Sequence, residues 1–228
     1  GPQSALFGRN THGGLVQTTS RAPSSQWTGS FSAPVGNYGQ WDLRGGVSGP
    51  VNDKVGVSLF LGRGERDGFT RNDLTGKDLD RRSATYGKAQ VRWTPNNEWD
   101  TRFILSGERA RDGDYALNDL AALRQNPFHV ARDFEGYTNR DILSGTVQTR
   151  REGQRIAFST TTGIVNWKTQ DLTDLDYSPL PLVRRNNSER DSQFTQEFRF
   201  ASAAGAPARV SDNVSLRWQT GVFLFTQN

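Results

Sequence analysis

From Gln26 to Thr226 apolar and polar residues repeatedly alternate with a period of two, the pattern of strands whose two faces meet different surroundings. A first strand is expected over 26–33, closed by Pro34, and a second over 40–48. The second sets Trp41, Leu43 and Val47 against Asp42, Arg44 and Ser48. Gly49, Pro50, Asn52 and Asp53 then read as a tight turn. The strand over 54–62 collects Val55, Val57, Leu59 and Leu61 on one face, and a polar loop over 63–81 follows. Over 82–94, Ala89, Val91 and Trp93 oppose Lys88, Gln90 and Arg92, with a turn at Pro95, Asn96 and Asn97.

The strand over 99–109 opposes Phe103 and Leu105 to Arg102, Ser106 and Glu108. A long connection over 111–135 offers Asn118 as the cap of a short helix ending by Arg124, since Pro127 forbids its continuation. Strands over 136–151 and 155–167 flank a turn at Glu152 and Gly153, and a second long loop occupies 168–190. The strand over 191–201 sets Phe194, Phe198 and Phe200 against Glu197 and Arg199. A last strand over 214–226 is almost continuously apolar, and its two faces are not distinguished by pattern.

Most of these strands are longer than the five or six residues common in soluble sheets and near the roughly 9 to 11 that cross a bilayer at a tilt. Short and long connections mostly alternate, and Trp41, Trp93, Trp99, Trp167 and Trp218 fall at or near expected strand ends. Both are features of transmembrane barrels, whose interfaces collect amphipathic rings. Each charge on the polar face would cost about 2–4 kcal/mol against lipid near the midplane, so that face needs water or protein. A soluble sandwich would instead turn the same face to solvent.

Composition narrows the choice. The 228 residues include 24 Gly and no Cys, and 33% are hydrophobic, with no apolar run long enough for a transmembrane helix. Alternating strands keep a membrane barrel polar on average. The net charge of +4 is spread along the chain, which argues against nucleic acid as a partner. Two histidines and no cysteine leave no zinc cluster of usual spacing, and no G-x-S-x-G is present, so an enzyme is not expected. Asp171, Asp174 and Asp176 have oxygen ligands suited to calcium but lack the glycine and closing glutamate of an EF-hand. No metal or cofactor is assigned.

The opening stretch GPQSALFGRNTHGG, with Gly1, Pro2, Gln3, Leu6, Phe7, Gly8, Arg9, Asn10, Gly13 and Gly14, resembles the end of the plug domain of TonB-dependent outer-membrane receptors. GGVSGPVNDKVGVSLFLGRGERDGF (45–69), AQVRWTPNNEWDTRFILSGERARDG (89–113), QEFRFAS (196–202) and LRWQTGVFLF (216–225) resemble successive barrel strands of the same family. The resemblance implies an all-β fold: residues 1–23 as the C-terminal end of a plug, and 24–228 as the first part of an antiparallel transmembrane barrel. About nine strands are expected here, of the roughly 22 in the family's plugged barrel.

It also implies location in the cell outer membrane, contact with its lipid, and energy-coupled import of a ferric siderophore or similar scarce nutrient. The TonB-ExbB-ExbD complex would act through a segment outside this sequence, and the iron chelate would be cargo. A carbohydrate or cobalamin importer of the same family is the alternative within transport, and a soluble β-sheet binding module the alternative outside it.

Candidate site residues follow. Gly8, Arg9, Asn10, Gly13 and Gly14 form the plug motif, and Arg9 is a candidate partner for a lumen carboxylate, Glu108 or Glu197. Arg102, Glu108, Glu197 and Arg199 are candidate lumen-facing residues. Arg66, Phe69, Tyr115, His129, Tyr177 and Arg184 lie in the long loops, where aromatic rings and guanidinium groups suit an anionic chelate.

Overall fold

The computed structural model describes residues 18–203, 205–211 and 213–228. Nine strands form one antiparallel sheet: β1 (Thr28–Ser32), β2 (Trp41–Asn52), β3 (Val55–Arg66), β6 (Arg82–Trp93), β7 (Trp99–Gly113), β9 (Tyr137–Glu152), β10 (Ile156–Asp174), β11 (Arg184–Ser202) and β14 (Gln219–Gln227). Their spatial order follows chain order, β1-β2-β3-β6-β7-β9-β10-β11-β14, so the sheet is an uninterrupted meander. Short strands β4 (Thr70–Asn72), β5 (Asp78–Leu79) and β8 (His129–Val130) form a small sheet within two long connections. β12 (Ala208–Ser211) and β13 (Val214–Leu216) make a separate hairpin. The helix α1 (Leu120–Gln125) lies in the connection from β7 to β9.

Side chains directly opposite across the ladders share a face. One face therefore carries the set Gly46, Phe60, Lys88 and Ser106, and the set Ser58, Gln90, Ile104 and Thr146. The N-terminal segment lies against this inner face: the Lys88 amine donates to the Ser20 hydroxyl at 3.0 Å, and the Gln90 amide donates to the Arg21 carbonyl at 3.4 Å. Further along, the Ser24 amide donates to the Ser48 hydroxyl at 2.8 Å. Gln90 is 2% exposed as a result.

The opposite, outer face carries rows such as Leu59, Ala89, Leu105, Gly145, Ile164 and Phe194. The next row contains Val57, Val91, Phe103 and Val147. These side chains are unpacked, Leu105 being 55% exposed and Leu59 44%. Among the described residues only Leu79, Ala110, Val130 and Ala203 are buried hydrophobics, so this sheet has no interior core of its own. A broad apolar outer face on a sheet without a core needs a nonpolar medium against it. From Trp99 to Gly107 that face spans roughly 26 Å at about 3.3 Å per residue, the height of a barrel's apolar band.

The strands outrun the periodicity-based expectation. Gly49 and Pro50 belong to β2, where the register shifts between Pro50 and Asn52; the turn is tightened by the Asn52 side chain, which accepts from Lys54 and Val55 amides at 2.9 Å. β10 reaches Asp174 and β11 begins at Arg184, so the expected loop over 168–190 shrinks to 175–183. The strand ends beyond the apolar rows are polar on both faces and so lack the contrast by which a strand is read. Trp167 consequently lies inside β10, paired with Ile142 and Asp191 on the inner face, and not at a strand end. The helix cap is Asp119 and not Asn118: the Asp119 carboxylate accepts from Ala121 and Ala122 amides at 2.9 and 3.1 Å. The Asn118 amide instead reaches the His129 carbonyl at 3.0 Å.

Candidate functional site at the long-loop end

Connections 33–40, 67–81, 114–136 and 175–183 all lie at one end of the sheet, opposite the turns that join β2 to β3, β6 to β7 and β9 to β10. Parallel pairing of β4 with β8, through Arg71 with His129 and Asn72 with Val130, welds two of these connections together.

Their outer part is an aromatic string. Arg66 ends β3 and sets its guanidinium 4.5 Å from the centre of the Phe69 ring, while donating to the Asp80 carbonyl at 2.6 Å. Asp80, in the left-handed region at φ 55°, accepts from the Phe69 amide at 2.9 Å and from the Thr70 hydroxyl at 3.1 Å, fixing the turn that presents the ring. Phe69 meets Tyr38 at 5.3 Å and Phe128 edge-on at 6.0 Å, so three connections contribute one ring each. His129 shares a hydrogen bond of 2.7 Å with Asp73.

Beneath lies a buried polar hub. The Asn72 side chain donates to the Arg132 carbonyl at 2.9 Å and accepts from its amide at 3.1 Å. The Arg132 guanidinium donates to the carbonyls of Tyr115, at 3.0 Å, and Leu117, and faces the Asp114 carboxylate at 3.5 Å. Asp114 also accepts from the Thr173 hydroxyl at 3.0 Å, and the Tyr177 ring lies 5.1 Å from the guanidinium carbon. Burial pushes the Asp114 carboxyl above its usual range against the opposing pull of its hydrogen bonds and Arg132, and pushes Arg132 down. Asp174 is likewise raised by burial; its Oδ1 accepts from Asp176 and Tyr177 amides, while its Oδ2 has no hydrogen-bond partner among the described residues.

Of the loop candidates, Arg66 and Phe69 come together in the aromatic string, and His129 stands beside it at the β4–β8 seam. Tyr177 and the Tyr115 carbonyl belong to the hub, while the Tyr115 side chain is exposed. Arg184 opens β11 opposite Asp174 in the register. Tyr38 and Arg132 were missed. A lone loop arginine carries no local signal of burial, because its partners Asn72, Asp114 and Tyr177 are far away in sequence.

Asp171, Asp174 and Asp176 are engaged by protein donors. Asp171 takes Arg185 at 2.8 Å and Asn187 at 3.2 Å, and Asp176 takes the Ser178 hydroxyl at 2.5 Å and the Val183 amide at 2.8 Å. The Ser178 hydroxyl holds the Asp176 carboxyl below its usual range.

On the inner face, Arg102 and Arg92 both clasp Asp100, at 3.1 and 2.9 Å. Glu108 takes Arg140 from the adjacent strand, and Glu197 takes Arg199 at 2.5 Å. All four candidates, Arg102, Glu108, Glu197 and Arg199, share the face that Ser20 and Arg21 touch. Gly8, Arg9, Asn10, Gly13 and Gly14 lie outside the described residues, so the expected Arg9 pairing is not placed.

Comparison with solved structures supplies the fold. The ferric yersiniabactin uptake receptor FyuA from Yersinia pestis superposes over 100% of this chain with a TM-score of 0.82 at 22% identity. The sheet has the fold of a TonB-dependent receptor's barrel wall. The ferric-catecholate import receptor Fiu from K12 E. coli likewise superposes over 100% of this chain, with a TM-score of 0.74 at 14% identity. In sequence, pesticin receptors of Yersinia enterocolitica and Yersinia pestis are 30% identical over 126 residues, or 53% of this chain. The chain spans 19% of the length of those curated relatives and 35% of each solved chain. No protein-family model matches it.

Proposed function

We propose that the protein containing this chain imports a ferric siderophore across the outer membrane by energy coupling. In this reading residues 1–23 are the end of a plug and 24–228 the wall that surrounds it. The observation that carries the reading is the crossing of the inner face by residues 20–24, bonded to Lys88, Gln90 and Ser48. Single hydrogen bonds to neutral groups and one amine along that segment support reading it as a plug's exit toward the wall.

Charged inner-face side chains, which lipid would reject, then line an aqueous or plug-filled lumen. Arg66, Phe69, Tyr38 and Phe128 at the long-loop end form an entry surface whose rings and cation suit an anionic aromatic chelate. Binding and release, with no covalent step, constitute the activity, and the TonB-ExbB-ExbD complex supplies the energy. The names of FyuA and Fiu, both ferric-chelate receptors, favour iron over carbohydrate or cobalamin as cargo.

The test is uptake of iron-55 chelates by cells lacking the full-length gene and by cells complemented with it. Restored, coupling-dependent uptake of one chelate is the expected result. Restored growth on a carbohydrate or on cobalamin, with iron uptake unchanged, would overturn the iron reading.

A further inference from the structure

Among the described residues β4 and β8 run parallel through two positions, Arg71 with His129 and Asn72 with Val130. Phe69 and Phe128 are the residues immediately before these strands. Parallel strands keep their starting ends together, so the pairing brings both rings to one edge of the small sheet, where they meet edge-on at 6.0 Å. An antiparallel pairing would send them to opposite edges. The Arg71 amide donates to the Phe128 carbonyl and the Asp73 amide to the Val130 carbonyl, each at 2.8 Å. A slip of one residue in so short a ladder would carry one loop past the other by about 3.3 Å, enough to part the rings.

Asn72 fastens this register. It is 0% exposed, and every donor and acceptor position of its side chain is used. Its amide nitrogen donates to the Arg132 carbonyl at 2.9 Å and to the Glu135 carboxylate at 3.4 Å. Its oxygen accepts from the Arg132 amide at 3.1 Å and the Leu74 amide at 3.2 Å. The Asn72 main chain meanwhile bonds within its own loop, its amide donating to the Lys77 carbonyl and its carbonyl accepting from the Gly76 amide, both at 2.8 Å. One residue thus holds the backbone of both connections. His129 with Asp73, and Glu135 with Thr75 and Lys77, join side chain to side chain and leave the backbone freer.

We propose that Asn72 is a positioning residue of the entry surface: it sets Phe128 against Phe69, and through that ring pair the affinity for an anionic aromatic chelate, without touching the chelate. The inference rests on the reading of the aromatic string as the chelate's point of entry. Asp80 already fixes the Phe69 turn from within its own loop. What remains is to fix the ring of the second loop, and the clasp of Asn72 on the Arg132 backbone supplies that. A buried amide with all its bonds made specifies one arrangement, because a shifted register would strand donors and acceptors away from water.

The test measures binding of the iron-55 complex of 2,3-dihydroxybenzoate to the full-length receptor by equilibrium dialysis. Asn72→Ala should weaken binding about tenfold, the scale of one aromatic contact. Asn72→Gln, which keeps both groups on a longer arm, should weaken it less. On a Phe128→Ala background the Asn72→Ala change should add nothing, since the ring it places is gone. Placement is read without chelate in a Phe69→Cys, Phe128→Cys pair, joined by a short bis-maleimide and counted by peptide mass spectrometry; this chain has no cysteine of its own. Adding Asn72→Ala should slow that joining several-fold.

Unchanged affinity or unchanged cross-linking in Asn72→Ala overturns the proposal. So does a further full loss on the Phe128→Ala background, which marks a role of Asn72 in loop stability apart from the ring. If Asn72→Ala yields no folded receptor, Asn72→Gln decides by the same two measurements, and parental values in it overturn the proposal. A parent that binds no chelate sinks the entry reading and with it the effect on affinity, while the cross-link still decides the placing. A parent that binds, with Asn72→Ala binding equally, sinks the positioning role only.

Discussion

Arg132 and Asp114 face each other at 3.5 Å with neither side chain exposed to solvent. Around them Asn72, the Tyr177 ring, and the carbonyls of Tyr115 and Leu117 complete a hub that draws on three connections, with Thr173 added from the end of β10. A buried ion pair gives little net stability against apolar alternatives, yet breaking one half is expensive. The hub is therefore read as a device that fixes how the loops stand relative to one another.

Replacing Arg132 by Ala leaves Asp114 buried without its countercharge and strips donors from two carbonyls. The expected penalty is about 3–5 kcal/mol, confined to the loop end. Hydrogen exchange should show faster exchange across 114–136 and 70–80 while β6, β7 and β9 remain protected. Uniform loss of protection across the sheet would refute a local role.

The hub should also respond to pH with a definite sign. Burial raises the Asp114 and Asp174 carboxyls above the ordinary 3.8, so between that value and the raised ones the native loops hold more protons than the unfolded chain. Their contribution is fullest below the ordinary value and declines as pH climbs through the raised values. Asp176, held down by Ser178, contributes in the opposite sense and loses its share as pH falls through its lowered value. Opening free energies of loop amides from exchange, corrected for intrinsic rates, should therefore decrease with rising pH across the first window in the parent. In a double variant with Asp114→Asn and Asp174→Asn that slope should vanish; its persistence would exclude these two groups as the cause.

Gly136 has φ 72°, and a Cβ there would run into the Leu172 carbonyl oxygen and crowd Asp114. Gly136→Ala thus carries both conformational strain and a clash beside the hub, at about 1–3 kcal/mol for the backbone alone. Limited proteolysis should reveal cleavage within 114–136 in this variant, and an unchanged digestion pattern would contradict the geometry.

Two neighbours on β7 separate the faces. Leu105 is outward in an apolar row, whereas Ser106 is inward opposite Ser144 and Lys88. Leu105→Arg should cost about 2–4 kcal/mol of folding into phosphatidylcholine vesicles, and Ser106→Arg much less. The comparison is read in the full-length receptor by heat-modifiable gel mobility, and equal sensitivity at the two sites would deny that the outer face meets lipid.

Much of the wall was legible in order. Alternation such as Ala89, Val91 and Trp93 against Lys88, Gln90 and Arg92 identified strand and face, because a strand's side-chain period is two whatever surrounds it. That signal depends on a contrast between faces. It faded where β10 and β11 rise past the apolar rows, since residues such as Lys168, Gln170, Arg185 and Asn187 are polar on both sides. In β14 contrast was missing for the opposite reason: Val222 and Leu224 face outward while Phe223 and Phe225 face inward, all apolar.

Sequence alone thus determined the all-β class and, wherever the two faces contrast, the chemistry of each, both set by local alternation and turn residues. Only tertiary structure decided that Arg132 is buried on Asp114, that Tyr38 joins Phe69 and Phe128, and that Asn72 clasps the Arg132 backbone. Those contacts join residues distant along the chain, and a residue's neighbours across a fold leave no mark on its own local pattern.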